Sequence, residues 1–311
     1  RRSARRAAGG GAARGRAVAA TPTTEQALAA LNRAHGCDLR VVAAMPDGEA
    51  SHATVVADRA GNRSLLKWWQ MAGGESDSLD HFERVVPIVE RLRVRGYPSP
   101  RHLLTANAES LLFVLQELLP GRPPVPLLPV HVEQLVVLNR LQEERRGDGG
   151  GWGAFLCRTL VRGADGYCLH APLRRHSPAA EALLDRVIAI GEGTDPAALP
   201  VAGIAHFDFH HLNVLAEGDR ITGIVDCEGA RAGDPCFDLV TLLYCSAEGG
   251  LGDHDQLQLW RLLRDRRDAA TLRAYLAHMS LRLSSWSAVH HDDATTARWL
   301  AHSQMWLDRA G

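Results

Sequence analysis

The chain has 311 residues, 46% of them hydrophobic, and its 35 basic and 36 acidic residues leave a formal charge of −1. That is enough apolar material for one large domain with a buried core, and the balanced charge gives no argument for a nucleic-acid or anionic membrane partner. No apolar run approaches the roughly 18 residues of a membrane span, and the six cysteines form no Cys-x-x-Cys pair, so reduced thiols and a cytoplasmic location are expected.

Residues 1–20 hold six arginines among Ala and Gly without apolar periodicity and read as a disordered basic tail. Thr23 and Thr24 precede Ala27, Leu28 and Leu31 at helical spacing, which predicts a short helix over 25–34. Strands over 39–44 and 53–57 flank the small-residue turn 46–52, which includes Ser51. A third strand over 63–69 carries Lys67 in an arginine-rich chain, and a compact ammonium there can reach phosphates as a point charge. Phe82, Val85, Val86, Val89 and Leu92 make a helical stripe that Pro87 should start or kink.

Gly96-Tyr97-Pro98-Ser99-Pro100 ends that helix, and 111–117 reads as an apolar strand followed by a proline-rich stretch over 122–129. Helices follow at Val132–Leu141 and after Ser177-Pro178, a cap with proline at the first turn. Between them, the glycine-rich run 149–153 around Trp152 reads as a surface loop, with an acceptor-pocket wall as the alternative. Residues 255–309 read as three helices with Leu and Trp on their apolar faces; Asp292-Asp293 at the last of them reads as an N-cap rather than a cation-attracting pair.

The segment His206-Phe207-Asp208-Phe209-His210-His211-Leu212-Asn213 carries the chemistry. Asp208 could take a proton from a hydroxyl, and Val214-Leu215 and Ile224-Val225 around Glu217-Gly218-Asp219 predict a hairpin. Its ends bring Asn213 and Asp226 together as hard oxygen ligands for one magnesium ion. His210 and His211 read as loop side chains, since no further metal partner is spaced near them.

In order and spacing, His206-x-Asp208, Asn213, Asp226, Gly233-Asp234-Pro235 and Phe237-Asp238-Leu239 resemble the catalytic segment of the aminoglycoside phosphotransferase and choline kinase family. The resemblance implies an α+β, protein-kinase-like bilobal fold. An N-terminal nucleotide-binding lobe with an antiparallel sheet would span 21–118, and a larger, mainly helical catalytic and acceptor lobe 119–311. It further implies Mg2+ with ATP or GTP, Asp208 orienting or deprotonating the acceptor hydroxyl, and Asn213 and Asp226 holding the metal. By the same resemblance Lys67 meets the phosphates with Glu83 as its partner (Glu90 being the alternative), and the turn containing Ser51 covers the nucleotide. Backbone near Glu117 and Leu118 would hold the adenine, His206 would be structural, and the Gly-Asp-Pro turn would brace the catalytic loop.

Asp226-Cys227-Glu228 stands where protein kinases have Asp-Phe-Gly and is closer to the Asp-Trp-Glu of small-molecule kinases, which implies a small-molecule hydroxyl acceptor. Richness in Ala, Arg, Gly and Leu suits GC-rich actinobacteria, which make antibiotics, so an antibiotic is the first acceptor class. A metabolic kinase of choline, a sugar or an amino alcohol is the alternative, and a nucleotide-binding protein without catalysis the second. The C-terminal part has no acidic run, which favours an acceptor of modest charge over a polycation.

Overall fold

A computed structural model describes residues 21–45, 52–71, 78–144, 151–164 and 167–311. The basic tail and Ser51, with most of its turn, lie outside the described residues.

Helix α1 (Thr24–His35) starts at a capping box in which Thr23 and Gln26 satisfy each other's backbone amides. It packs on a five-stranded antiparallel sheet of order β1-β2-β3-β5-β4, formed by β1 (Arg40–Ala44), β2 (His52–Ala57), β3 (Arg63–Gln70), β4 (His102–Ala108) and β5 (Leu111–Glu117). Leu66 and Trp68 of β3 enter the core with Leu31 and Phe113. Because side chains alternate across a strand, Lys67 points to the opposite face, opposite Val114 of β5. That face is covered by α2 (Leu79–Val94), whose Phe82 packs with Leu112 and Val114. Helix α2 begins at the Ser78 cap and runs through Pro87 rather than starting there, with the proline exposed.

The chain then becomes mainly helical, with α3 (Pro129–Leu141), α4 (Trp152–Arg162), α5 (His170–His176), α6 (Pro178–Gly193), α7 (Pro235–Tyr244), α8 (Asp253–Arg266), α9 (Ala269–His290) and α10 (Asp293–Arg309). Two small sheets interrupt them: β6 (Gly203–Ala205) pairs with β9 (Arg231–Gly233), and β7 (Val214–Glu217) with β8 (Arg220–Ile224). All ten residues of α7 are buried, so this helix is the axis of the larger core. Trp152 corrects the surface-loop reading. It is buried as the first residue of α4 and packs edge-on against Phe237 and Tyr275, while a Cβ on Gly153 would lie 1.9 Å from the Pro196 carbonyl oxygen. Asp292 accepts from the Thr295 amide at 2.7 Å and caps α10, as its position suggested.

The stretch after β5 is tied to the β7–β8 hairpin by a reciprocal backbone pair between Arg122 and Ala216 at 3.1 and 2.9 Å. Gly121 permits this approach: its φ is +101°, and a Cβ would lie 2.8 Å from the Ala216 carbonyl oxygen. No helix among the described residues is long and apolar enough to cross a membrane.

Candidate active site

The loop after β6 is held from below. Asp238, fully buried on α7, accepts the His206 and Phe207 amides at 2.7 and 2.9 Å and the Gln142 side-chain amide at 2.6 Å. Burial pushes the Asp238 carboxyl up to about 7 against the pull of these three donors. The brace expected of Asp234 thus comes from Asp238, one helical turn on. Asp234 instead accepts a two-pronged bond from Arg267, at 2.5 and 2.6 Å, and the Tyr275 hydroxyl at 2.8 Å, locking the start of α7 to α9.

With its amide fixed, Phe207 takes a left-handed φ of 76°, a conformation that costs a bulky residue on the order of 1–3 kcal/mol. Its ring stacks on Phe237, with centroids 5.3 Å apart. This turn presents Asp208. One of its oxygens, Oδ1, accepts from Arg282 of α9 at 2.6 Å; the other, Oδ2, accepts from Asn213 at 3.0 Å and lies 3.6 Å from His210 Nε2. Burial pushes the Asp208 carboxyl up, but Arg282, with His210 and His206, outweighs it and holds the group well below the usual carboxylate range. Buried His206 donates from Nε2 to the Val225 carbonyl and accepts the Asp208 amide on Nδ1, a tautomer inferred from these bonds. Burial lowers its pKa to about 4, so it is neutral and structural, as expected.

The hairpin closes as its sequence suggested: Val225 N–H donates to the Asn213 carbonyl at 2.9 Å, setting Asn213 beside Asp226. The Asn213 amide nitrogen donates twice to Asp208, to its carbonyl at 2.9 Å and to its side chain. That fixes the amide orientation and leaves Oδ1 without a donor among the described residues. Asp226, left-handed at φ 62° and 43% exposed, bonds Lys67 through Oδ1 alone. An accessible amide oxygen and a carboxylate oxygen are the hard donors Mg2+ prefers, so the pair fits that ion. Among the described residues no group of three or more His, Cys, Asp or Glu side chains could hold a metal.

Lys67 is the sole lysine of the chain. It bridges the sheet to the hairpin, bonding Asp226 and, at 2.8 Å, Glu228. Burial alone would lower its pKa, but the charges of Glu228 and Asp226 reverse this and raise it, so Lys67 is cationic. Glu83 is not brought to it: that side chain is exposed on α2, and the carboxylates on Lys67 are Asp226 and Glu228. Helix α2 is pinned by a different residue, His81, whose Nε2 lies 2.8 Å from the Glu228 carbonyl. Glu90 pairs within α2 with Arg93. At the hinge, the amide and carboxylate of Glu117 both engage the backbone of Arg101, whereas the Leu118 amide has no partner among the described residues.

Glu228 and Asp238 stood in the recognised motifs without an assigned role, and sequence reasoning missed Arg282 and Arg231 altogether. Arg282 had a signal, a charge following Leu281 and close to Met279 in a helix rich in small and apolar residues. Arg231 had none.

A profile described as the phosphotransferase enzyme family matches residues 47–275. No curated protein matches the chain by sequence. Among solved structures, aminoglycoside phosphotransferase APH(4)-Ia is 18% identical with a TM-score of 0.69, over 93% of this chain and 99% of that one. A variant of that enzyme has been solved with ADP and hygromycin B. A fructosamine-3-kinase described as putative, from Haemophilus somnus 129PT, is 12% identical, with a TM-score of 0.61 over 91% and 95% of the two chains. Amicoumacin kinase hAmiN, solved with AMP-PNP, Ca2+ and Ami, is 13% identical, with a TM-score of 0.56 over 92% and 96%. At these identities the structural likeness speaks for the fold, which is the kinase-like α+β fold expected above. The family follows from the profile, which spans about three quarters of the sequence: the chain belongs to the phosphotransferase enzyme family.

Proposed function

We propose that this phosphotransferase moves the γ-phosphoryl group of ATP or GTP to a hydroxyl of a small molecule, with antibiotics as the first acceptor class. The observation that carries the reading is the meeting of Lys67, Asp226, Asn213 and Asp208 in one cleft, from a strand of the sheet and the two loops below it. Residues up to 118 hold the nucleotide, with its base against the free Leu118 amide, and residues from 119 on hold the acceptor.

Asp208 stays ionised and accepts the acceptor's hydroxyl proton as a hydrogen bond, aligning the oxygen for in-line attack. Its low basicity suits a loose transition state in which the proton leaves late. Asn213 and Asp226 hold Mg2+, which when bound neutralises phosphate charge, and Lys67 turns from the carboxylates to the α- and β-phosphates. Positioning and charge neutralisation supply the rate, without a covalent enzyme intermediate.

The antibiotic assignment draws on composition and on the named acceptors of the fold neighbours. Expression in a sensitive host against an antibiotic panel, beside a Mg2+-dependent nucleotide-turnover assay with the same compounds, tests it. Protection that Asp208→Asn abolishes supports the assignment. Turnover of amino sugars or choline without any protection supports a metabolic kinase instead.

A further inference from the structure

The second guanidinium at the catalytic loop, Arg231 of β9, has a setting that ion pairing does not explain. It lies against two neighbouring aromatic rings, 4.5 Å from the Phe155 centroid and 4.3 Å from that of Phe207, and its Nε donates to the Gly229 carbonyl at 3.0 Å. Those three contacts fix the plane of the guanidinium. Its terminal nitrogens have no hydrogen-bond partner among the described residues, yet they are not buried orphans either, so they reach solvent. No carboxylate pairs with Arg231 among the described residues.

Arg282 lies 5.4 Å from the same Phe207 centroid, which puts the two cations within about 10 Å, one Debye length at 0.1 M salt. Its own bonds go to Asp208 Oδ1 and to the Phe207 carbonyl. Tyr167, 5.9 Å from the Arg282 guanidinium, supplies a half-buried phenol beside them. Among the described residues Asp208, the carboxylate assigned to the acceptor hydroxyl, is paired with Arg282, and Arg231 is left without one. Burial disfavours the Arg231 cation, the Tyr167 phenol beside it acts the other way, and Arg282 adds to the effect of burial.

From this geometry we infer that Arg231 is an acceptor-binding residue that receives an anionic oxygen group, a carboxylate or phosphate, carried by the molecule whose hydroxyl meets Asp208. A held, planar fork with free terminal N–H groups matches such an oxyanion two-prongedly and loses little side-chain freedom on binding it. The inference rests on the proposed reading of Asp208, and it narrows the acceptor from modest charge to a class bearing at least one acidic group near the reacting hydroxyl.

The test uses the full chain with Mg2+ and AMP-PNP, and matched probes: gluconate against glucitol for the carboxylate, and ribose 5-phosphate against ribose for the phosphate. Calorimetric binding to the wild type should favour at least one anionic member by about 10- to 100-fold, the range for a charge-assisted hydrogen bond. Arg231→Met should abolish that preference while leaving AMP-PNP affinity unchanged, and Arg231→Lys, which keeps charge without the fork, should restore part of it. If Arg231→Met does not fold, the Lys variant and the wild-type preference still decide. Equal binding of charged and neutral partners by the wild type overturns the proposal, as does a preference that survives in Arg231→Met. An equal loss of kcat for every acceptor turned over also overturns it, by assigning Arg231 to the transferring phosphoryl group. The kinase reading fails separately, if Mg2+-dependent nucleotide binding and turnover are absent while the anion preference persists.

Discussion

The two loops of the cleft carry opposite charge. On the side of Lys67, one cation serves two carboxylates, Asp226 and Glu228; on the side of Asp208, the carboxylate is paired with Arg282, and a second cation, Arg231, lies on the Phe207 ring without a carboxylate partner among the described residues. The first side is short of positive charge and the second of negative charge. Residues two apart in the chain, Gly229 and Arg231, link the two halves through a hydrogen bond that the Arg231 side chain donates from Nε to the Gly229 carbonyl. The lesson is that a chain with a formal charge of −1 overall still gathers carboxylates on one side of its site and guanidinium groups on the other.

The largest effect should come from the cationic side. Asp208→Asn is expected to keep the fold and nucleotide binding yet lower kcat at least about a hundredfold, since a positioned general base is worth on the order of 10² to 10⁴. Steady-state turnover beside nucleotide titration checks this, and undiminished kcat would remove Asp208 from the chemistry. On the acidic side the loss should take another form. Asp226→Ala should abolish Mg2+-dependent nucleotide affinity itself, and a normal Kd at saturating Mg2+ would break the assignment of metal to that end.

Beneath both sides lies Asp238, whose removal tests whether the polarity depends on the brace. Asp238→Ala leaves the His206 and Phe207 amides unpaired in the core, at about 1–3 kcal/mol each, so Tm should drop by several degrees and activity should fall with it. A variant as stable as the wild type would show that Phe207 holds its strained turn without this support.

Titration gives a smaller, graded effect. Burial lowers His206, His211 and His302 to about 4, whereas unfolded imidazoles titrate near 6.5. Between these values the unfolded chain binds more protons, so their contribution is complete above about pH 6.5 and is lost as pH falls toward about 4. Asp238, raised to about 7 by burial, acts in the reverse sense: its contribution is present below the unfolded carboxylate value near 3.9 and fades as pH rises through about 7. Three imidazoles outweigh one carboxyl, so Tm should fall on acidification from about pH 6.5 to 5. A rise in thermal melts over that interval would contradict the buried-histidine account.

The smallest effect sharpens the acidic side. Glu83→Ala should leave the nucleotide KM unchanged, whereas Glu228→Gln, which removes one of the two carboxylates on Lys67, should alter it measurably. The opposite pattern would restore Glu83 as the lysine's partner in the nucleotide complex.

These contrasts show how far the sequence could be read. Four of the five sheet strands, the hairpin that joins Asn213 to Asp226 and the cap at Asp292 were legible, because local periodicity and turn chemistry encode them, whereas β4 was not read. Trp152 was misread because a glycine-rich flank looks like a loop, while its burial depends on Phe237 and Tyr275 far along the chain. Glu83, with Glu90 as the alternative on the same helix, was the partner that the resemblance implied for Lys67. Lys67 found its carboxylates 159 and 161 residues away instead.

By itself, then, the sequence determined four strands of the large sheet, the family and the line of polar residues from Lys67 to Asp226, since each rests on spacing along the chain. Only the tertiary structure decided which charges face one another. It brought Arg282 from α9 to Asp208, Asp238 from α7 to the backbone of the catalytic loop, and Arg231 against the rings of Phe155 and Phe207. Electrostatic and packing interactions act through space over a few ångströms, and separation along the chain does not record that distance.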